Sequence, residues 1–161
     1  MTDLGDDLVV DSLPAPVASA MPLSPTQVLE LAALNVMLVA GDGVLRVAWS
    51  CGRSVGRSLV FGRITADVER VVLSGSQPGF VAHLRATDSA LLTDLMVVED
   101  ARRRGVGTRL VEDALEVARR LGRRRLTLEV RRDNEPALRI YRRLAFELEG
   151  EGDIVWCSRA I

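Results

Sequence analysis

Lysine is absent from this chain: all 21 basic residues are arginine, and the net charge is −1. Cysteine is scarce, with only Cys51 and Cys157 in 161 residues, and there is a single histidine. Two cysteines so far apart exclude a disulfide framework, and without a C-x-x-C pair or a Cys/His cluster no metal is implied. Arg53 is the one activating neighbour near Cys51, so both cysteines read as packing residues rather than nucleophiles. Long hydrophobic runs are missing too. The longest, residues 28–40, contains Glu30 and Asn35 and is too short to span a bilayer. The first ten residues are acidic and lack the basic segment that opens a secretory leader, so the expected setting is a reducing cytoplasm with no membrane partner. Aromatic residues make up 4% of the chain, which argues against a nucleic-acid partner.

What is present suffices for one domain, because 161 residues at 48% hydrophobic content can bury a single core. Four of the six prolines fall in residues 1–25, so this segment is expected to hold a short strand at residues 8–11 and then run irregular or partly disordered. The domain itself is expected over residues 26–161. Pro25 and Thr26 open a helical pattern that Gly41 and Gly43 stop. Residues 44–64 show no clean period and fit helix or strand. Residues 68–74 and 80–85 read as two strands joined by the turn signal Gly75-Ser76-Gln77-Pro78-Gly79, which places His83 on a strand.

The second half is sharply patterned. Residues 91–98 form a mostly apolar run of strand length. Leu110, Ala114, Val117, Ala118 and Leu121 then recur at helical spacing, with Gly122 as a stop. Residues 126–130 are the next strand, and Asp133 or Asn134 with Pro136 opens another helix carrying Ala137, Ile140, Tyr141 and Leu144 on one side. Strand, helix, strand and helix imply a parallel pair. Residues 146–161 fit a last hairpin turning at Gly150-Glu151-Gly152-Asp153.

Charge is concentrated where this pattern begins. Residues 101–143 carry 14 arginines against 6 acids, whereas residues 1–100 carry 6 against 12. Between the first strand and its helix lie Arg102, Arg103, Arg104, Gly105, Val106, Gly107 and Thr108. The first amides of a helix have no intrahelical partner and the peptide dipoles leave positive charge there, so such a loop suits a diphosphate. Glycine lets phosphates approach the amides, and arginine adds forked donors. The arginine cluster at residues 119–125 follows the negative end of the helix and needs no ligand to explain it.

With both blocks in view, the chain resembles the GCN5-related N-acetyltransferase (GNAT) family. Arg102-x-x-Gly105-x-Gly107 matches the family's coenzyme A loop, Q/R-x-x-G-x-G/A. The block from Leu126-Thr127-Leu128-Glu129-Val130-Arg131 through Asn134, Ala137, Tyr141 and Leu144 to Phe146 resembles its second motif, and is most similar to that of the protein N-terminal alanine acetyltransferases. The likeness covers residues 80–150 well. Ala145 departs from it, standing where the family has glycine.

The resemblance implies an α/β fold with a mixed, mostly antiparallel sheet whose parallel central pair splays apart, and acetyl-CoA as co-substrate without a metal. It implies that Met96, Val97 and Val98 offer backbone groups to the pantetheine arm, that residues 102–108 wrap the diphosphate, and that Asn134 and Ala137 contact the coenzyme. Asn134 also reads as a helix N-cap. Tyr141 would be the general acid and Glu129 the base, acting on an amine of a small molecule or protein N-terminus. Packing alone would also account for Tyr141, and a salt bridge for Glu129. Asp94, Glu99 and Asp100 read as turn and edge residues. The resemblance is compatible with a homodimer, and equally with a coenzyme-binding or regulatory module that transfers nothing.

Overall fold

Left-handed backbone at Cys51 (φ +50°) and Gly52 (φ +73°) folds the chain back on itself in a two-residue turn whose twist matches the strands on either side. The computed structural model describes residues 8–12 and 43–161. It thereby resolves residues 44–64 as an antiparallel hairpin of β2 (Gly43–Ser50) and β3 (Arg53–Phe61), with Ser50 opposite Arg53. Two features hide the alternation expected of strands. A bulge interrupts the register between Ala48 and Trp49, and Ser58, Leu59, Val60 and Phe61 are all buried, so β3 is covered on both faces. The strand β1 (Leu8–Ser12) lies where residues 8–11 predict it and pairs with β2. The helical pattern at residues 26–38 and the irregular segment at 13–25 lie outside the described residues.

The predicted hairpin over residues 68–85 is not formed. The segment makes two short helices, α1 (Ala66–Val71) and α2 (Pro78–Ala86). Thr65 caps the first, its hydroxyl accepting from the Val68 N–H at 3.2 Å. Proline at the first position of α2 gives up no hydrogen bond, since that N–H has no helical partner. Phe80 and Leu84, one turn apart, are the residues α2 buries, a period a strand could not use. His83 is therefore a helix residue.

The remaining elements follow the sequence pattern: β4 (Ala90–Val97), a 3₁₀ turn (Glu99–Ala101), α3 (Val106–Arg120), β5 (Arg125–Arg131), α4 (Glu135–Arg143), β6 (Glu147–Glu149) and β7 (Ile154–Ala160). They complete a seven-stranded sheet in the order β1-β2-β3-β4-β5-β7-β6, in which β4 and β5 are the parallel neighbours and every other pair is antiparallel. This is the mixed, mostly antiparallel sheet expected. The parallel pairing covers only Ala90 with Leu126 and Leu91 with Thr127, after which the strands separate.

Alternation along the strands sorts the core into two layers. Leu92, Leu126, Leu128 and Val130 pack with Val111, Ala114 and Ala118 of α3 and with Leu138 and Tyr141 of α4. On the other layer, Leu59, Phe61 and Leu91 pack with Val68, Phe80 and Leu84 from α1 and α2. Arg46 of β2 ties the sheet to α3 through a forked pair with Asp113, at 2.8 and 2.7 Å.

Candidate active site

The basic loop leaves β4 in a fixed geometry. The Val98 N–H donates to the Val55 carbonyl at 2.9 Å, and Arg102 Nε donates back to the Val97 carbonyl at 3.1 Å. Arg103 (φ +60°) and then Gly105 (φ +84°), the N-cap of α3, take left-handed conformations that swing the chain from loop to helix. No acidic side chain stands in the first turn of α3, so nothing in it offsets the positive end of the dipole. Arg102 and Arg103 are exposed, while Val106 is buried against Ala48, Val55 and Leu110, which leaves only its backbone for a ligand. Gly107 has a second task that the sequence did not suggest. A Cβ there would lie 3.1 Å from Ile140 Cδ1, so this glycine lets the start of α3 close on α4.

Where β4 and β5 separate, a cleft of about 280 Å³ opens between them. Leu92, Asp94, Leu128, Glu129, Asn134 and Tyr141 are among the residues that line it. Beyond Leu91 the edge of β4 facing β5 has no strand partner, which leaves backbone groups for an extended ligand apart from the Val97 carbonyl that Arg102 engages. Met96 and Val97 lie on that part of the strand and Val98 follows it; these three and the loop residues 102–108 sit past the end of the cleft rather than in its lining.

Glu129 and Tyr141 reach this cleft from opposite sides of the sheet. Tyr141 belongs to the α3–α4 layer, only 5% exposed, with its ring 5.7 Å from that of Phe146. Burial, and secondarily the Cys157 thiol, hold its phenol well above the ordinary tyrosine pKa. It therefore keeps its proton throughout the neutral range and cannot serve there as a base. Glu129 is half-buried on β5 and pairs across the sheet with Trp156 on β7. Its Oε1 accepts a hydrogen bond from the Ser76 hydroxyl, on the loop between α1 and α2. Among the described residues no arginine forms the alternative salt bridge with Glu129; Arg131 instead pairs with Asp133 at 3.0 Å.

Asn134 is the N-cap expected of it. Its Oδ1 accepts from the Ala137 N–H at 3.3 Å, capping α4, and the residue also lines the cleft. Ala137 packs against the core and is absent from the lining. Asp94, read as an edge residue, stands in the cleft instead. It lies at a bulge in the β3–β4 pairing with φ +51°, and Arg57 Nε holds its carboxylate at 2.9 Å. An acid inside an apolar strand run was the available signal. Ser76 gave none, because its partner is 53 residues away. His83 does not line the cleft; its Nδ1 is 3.5 Å from Glu149, and its ring is 6.0 Å from that of Trp156.

Among the described residues, no group of three or more histidine, cysteine or acidic side chains is placed to hold a metal, and no helix is long and apolar enough to cross a membrane.

Comparison with known proteins bears on this arrangement. Residues 65–146 match the pattern of the acetyltransferase (GNAT) family. An uncharacterised N-acetyltransferase of Methanocaldococcus jannaschii is 35% identical over 82 residues, which span 47% of this chain and 36% of that protein. The chain thus spans about a third of the length of this relative. In fold it is similar to YncA, a putative acetyltransferase of Salmonella typhimurium whose structure holds its cofactor acetyl-CoA, with TM-score 0.69, 11% identity, and 96% and 94% of the two chains covered. It is also similar to the ribosomal-protein-alanine N-acetyltransferase of Brucella melitensis, with TM-score 0.67, 15% identity, and 95% and 99% covered. A loop and second block that match the family in sequence, on a sheet that opens at the same central pair the family's fold predicts, make this chain a member of the GNAT acetyltransferase family.

Proposed function

We propose that this protein is an acetyl-CoA-dependent N-acetyltransferase that moves the acetyl group directly to an amine, without an acyl-enzyme. The observation that carries this reading is the convergence of Glu129 and Tyr141 on one cleft at the divergence of β4 and β5. The cradle fits the coenzyme. The first-turn amides of α3 face no competing acid, the arginine loop adds charge, and the open edge of β4 offers paired donors and acceptors to an extended arm. Residues 102–108 would hold the diphosphate, Val97 with its neighbours Met96 and Val98 would run along the pantetheine arm, the Val98 N–H and carbonyl staying with Val55 and Ala101, and Asn134 and Ala137 would flank it. Acetyl-CoA supplies an activated acyl carbon; no metal is needed.

Glu129 takes the proton from the amine as the nitrogen bonds to the acyl carbon and the carbon–sulfur bond breaks. Tyr141, protonated at neutral pH, gives its proton to the departing thiolate and regains one through solvent as Glu129 releases the proton it took. Amine basicity sets how much help is needed. An α-amine of pKa about 8 is roughly 10% neutral at pH 7, whereas a lysine amine near 10.4 is neutral to only a few parts in ten thousand. An α-amine is thus the easier acceptor. The likeness of the Glu129 block to the protein N-terminal alanine acetyltransferases supports a protein N-terminus or a small molecule bearing a similar amine. The setting is the cytoplasm, as a monomer or homodimer, without nucleic acid or membrane as partner.

The test is thiol release from acetyl-CoA over a panel of α-amino peptides and small amines, with calorimetric binding alongside. Tyr141→Phe and Glu129→Gln should each bind acetyl-CoA as the wild type does and lose about a hundredfold or more in turnover. A wild type that binds acetyl-CoA yet acetylates no amine in the panel would favour the coenzyme-binding module instead.

A further inference from the structure

The arginines of the second half gather at one place in the fold. At the end of the sheet remote from the coenzyme loop, the turn that leaves α3 brings Arg123, Arg124 and Arg125 to the start of β5. Antiparallel pairing sets the end of β7 beside them. Arg125 faces Ala160 and Leu126 faces Arg159, while the Ile161 N–H donates to the Arg124 carbonyl at 2.8 Å. α4 ends at Arg143, and β6 then starts with Glu147 opposite Ser158, one position from Arg159. Arg119 and Arg120 complete the last turn of α3. Seven arginines therefore meet only three acids, Asp88, Glu116 and Glu147. The excess is four positive side chains, on a chain whose net charge is −1.

Part of this charge is fixed in position. Arg123 is mostly buried and pairs with Asp88 at 2.6 Å, and Arg125 donates to the Ser158 hydroxyl at 2.5 Å. Arg119 and Arg120 share Glu116. Arg124, Arg143 and Arg159 have no side-chain partner among the described residues, and the first two are exposed. Helix dipoles favour a cation at the ends of α3 and α4, but they ask for nothing at Arg159, which lies on a strand.

We infer that this pole is a docking surface for a carboxylate-rich polypeptide segment. Arginine forks take carboxylates two bonds at a time, and arginine clusters are a recurrent way of holding acidic segments. A nucleic acid fits less well, because no aromatic side chain is offered here for a base to stack on. Among the described residues the three phenylalanines and the tyrosine are buried, Trp49 is on β2, and Trp156 packs with Phe80 and His83 farther along β7. The position also separates the two ends of the molecule. β4 runs from Ala90, beside the pole, to Val97 at the coenzyme loop, about 23 Å at the rise of a strand. A segment docked at the pole leaves the cleft and the loop uncovered, so the surface tethers a partner while transfer proceeds elsewhere. It stands independently of the acetyl-CoA reading.

The probe is fluorescein-labelled decaglutamate, followed by anisotropy with acetyl-CoA in excess to occupy the loop arginines. The wild type should bind at about 0.05 M salt and lose about tenfold in affinity by about 0.2 M. Arg124→Ala, Arg143→Ala and Arg159→Ala together should cost about tenfold, since one exposed ion pair contributes at most about fivefold, with acetyl-CoA affinity unchanged. Arg63→Ala, Arg70→Ala and Arg85→Ala together remove the same charge elsewhere and should cost less than about twofold. A second measurement keeps the charge intact. Because the chain has no lysine, Arg124→Lys supplies its only side-chain amine, and carbodiimide should join that amine to the peptide, whereas Arg70→Lys should stay unjoined. Absence of binding at about 0.05 M salt, equal losses in the two triple variants, or equal cross-linking in the two lysine variants would each overturn the docking surface. Tighter binding of a single-stranded decanucleotide than of decaglutamate would overturn the acidic polypeptide as its occupant.

Discussion

Ala145→Gly should stabilise the protein, and the reason can be worked from the end of α4. Ala145 sits at φ +62°, with its N–H donating to the Arg142 carbonyl at 3.1 Å and the Phe146 N–H donating to that of Tyr141 at 2.9 Å. This pair of bonds closes a helix through a left-handed residue, the position that glycine fills most cheaply. The end of α3 is the same motif with glycine in place: Gly122 lies at φ +75°, donating to the Arg119 carbonyl at 3.0 Å while the Arg123 N–H reaches Ala118 at 3.0 Å. An L residue in the left-handed region costs about 1–2 kcal/mol. Glycine removes that strain but loosens the unfolded chain by about 0.4–1 kcal/mol. The difference leaves Ala145→Gly more stable by about 0.5–1 kcal/mol, a rise in Tm of about 1–4 °C for a domain of this size. Gly122→Ala should shift stability by a similar amount the other way, since its new Cβ meets no atom within 4 Å and only backbone strain changes. Urea and thermal unfolding followed by circular dichroism measure both. If Ala145→Gly lowers the midpoint, or Gly122→Ala leaves it unmoved, the assignment of these helix ends is wrong.

Other perturbations probe the core and the site. Asp113→Ala should cost about 2–3 kcal/mol in urea unfolding, because it removes the forked carboxylate acceptor of Arg46 from a pair whose side chains are only 12% and 14% exposed; a loss below about 1 kcal/mol would mean that solvent screens the pair. Gly107→Ala should be destabilising through its 3.1 Å approach to Ile140 Cδ1, and Ile140→Val, which removes that atom, should recover most of the loss in a double-mutant cycle; strict additivity would refute the contact. Burial pushes the Cys157 thiol up to about 11 from its ordinary 9.0, against the weaker opposing pull of Arg142. The folded protein thus keeps a proton that the unfolded chain releases, so this contribution to stability is full below about pH 9 and fades as pH rises toward 11. Cys157→Ala should flatten the fall in urea midpoint across that window, and an unchanged slope would assign the fall to other groups, Tyr141 first among them.

The sequence was most legible where a local signal and a tertiary role coincide. α3, β5 and α4 could be read because Gly105, Gly122, Asn134 and Pro136 are caps and stops in their own right, and the helices between them bury a regular face. Residues 68–85 misled because Val68, Val71 and Val72 are β-branched and the Gly75–Gly79 stretch has the composition of a hairpin turn. The capping threonine at 65 and the period from Phe80 to Leu84 were the signals that outweighed them. Residues 44–64 were ambiguous because a strand covered on both faces loses its alternation. Within the site, Glu129, Asn134 and Tyr141 stand out because they fall in one contiguous block. Asp94 and Ser76 do not, since what brings them to the site is the separation of β4 from β5 and the docking of a loop from another layer, neither of which leaves a local trace.

The central claim is that the α3 cradle and the open edge of β4 receive acetyl-CoA. Calorimetric titration of the intact protein with acetyl-CoA tests it most directly. One saturable site per chain, with a matching rise in thermal stability at excess ligand, is the expected result. A folded protein that gives neither binding heat nor a thermal shift would contradict the account and leave the fold without the coenzyme on which its chemistry depends.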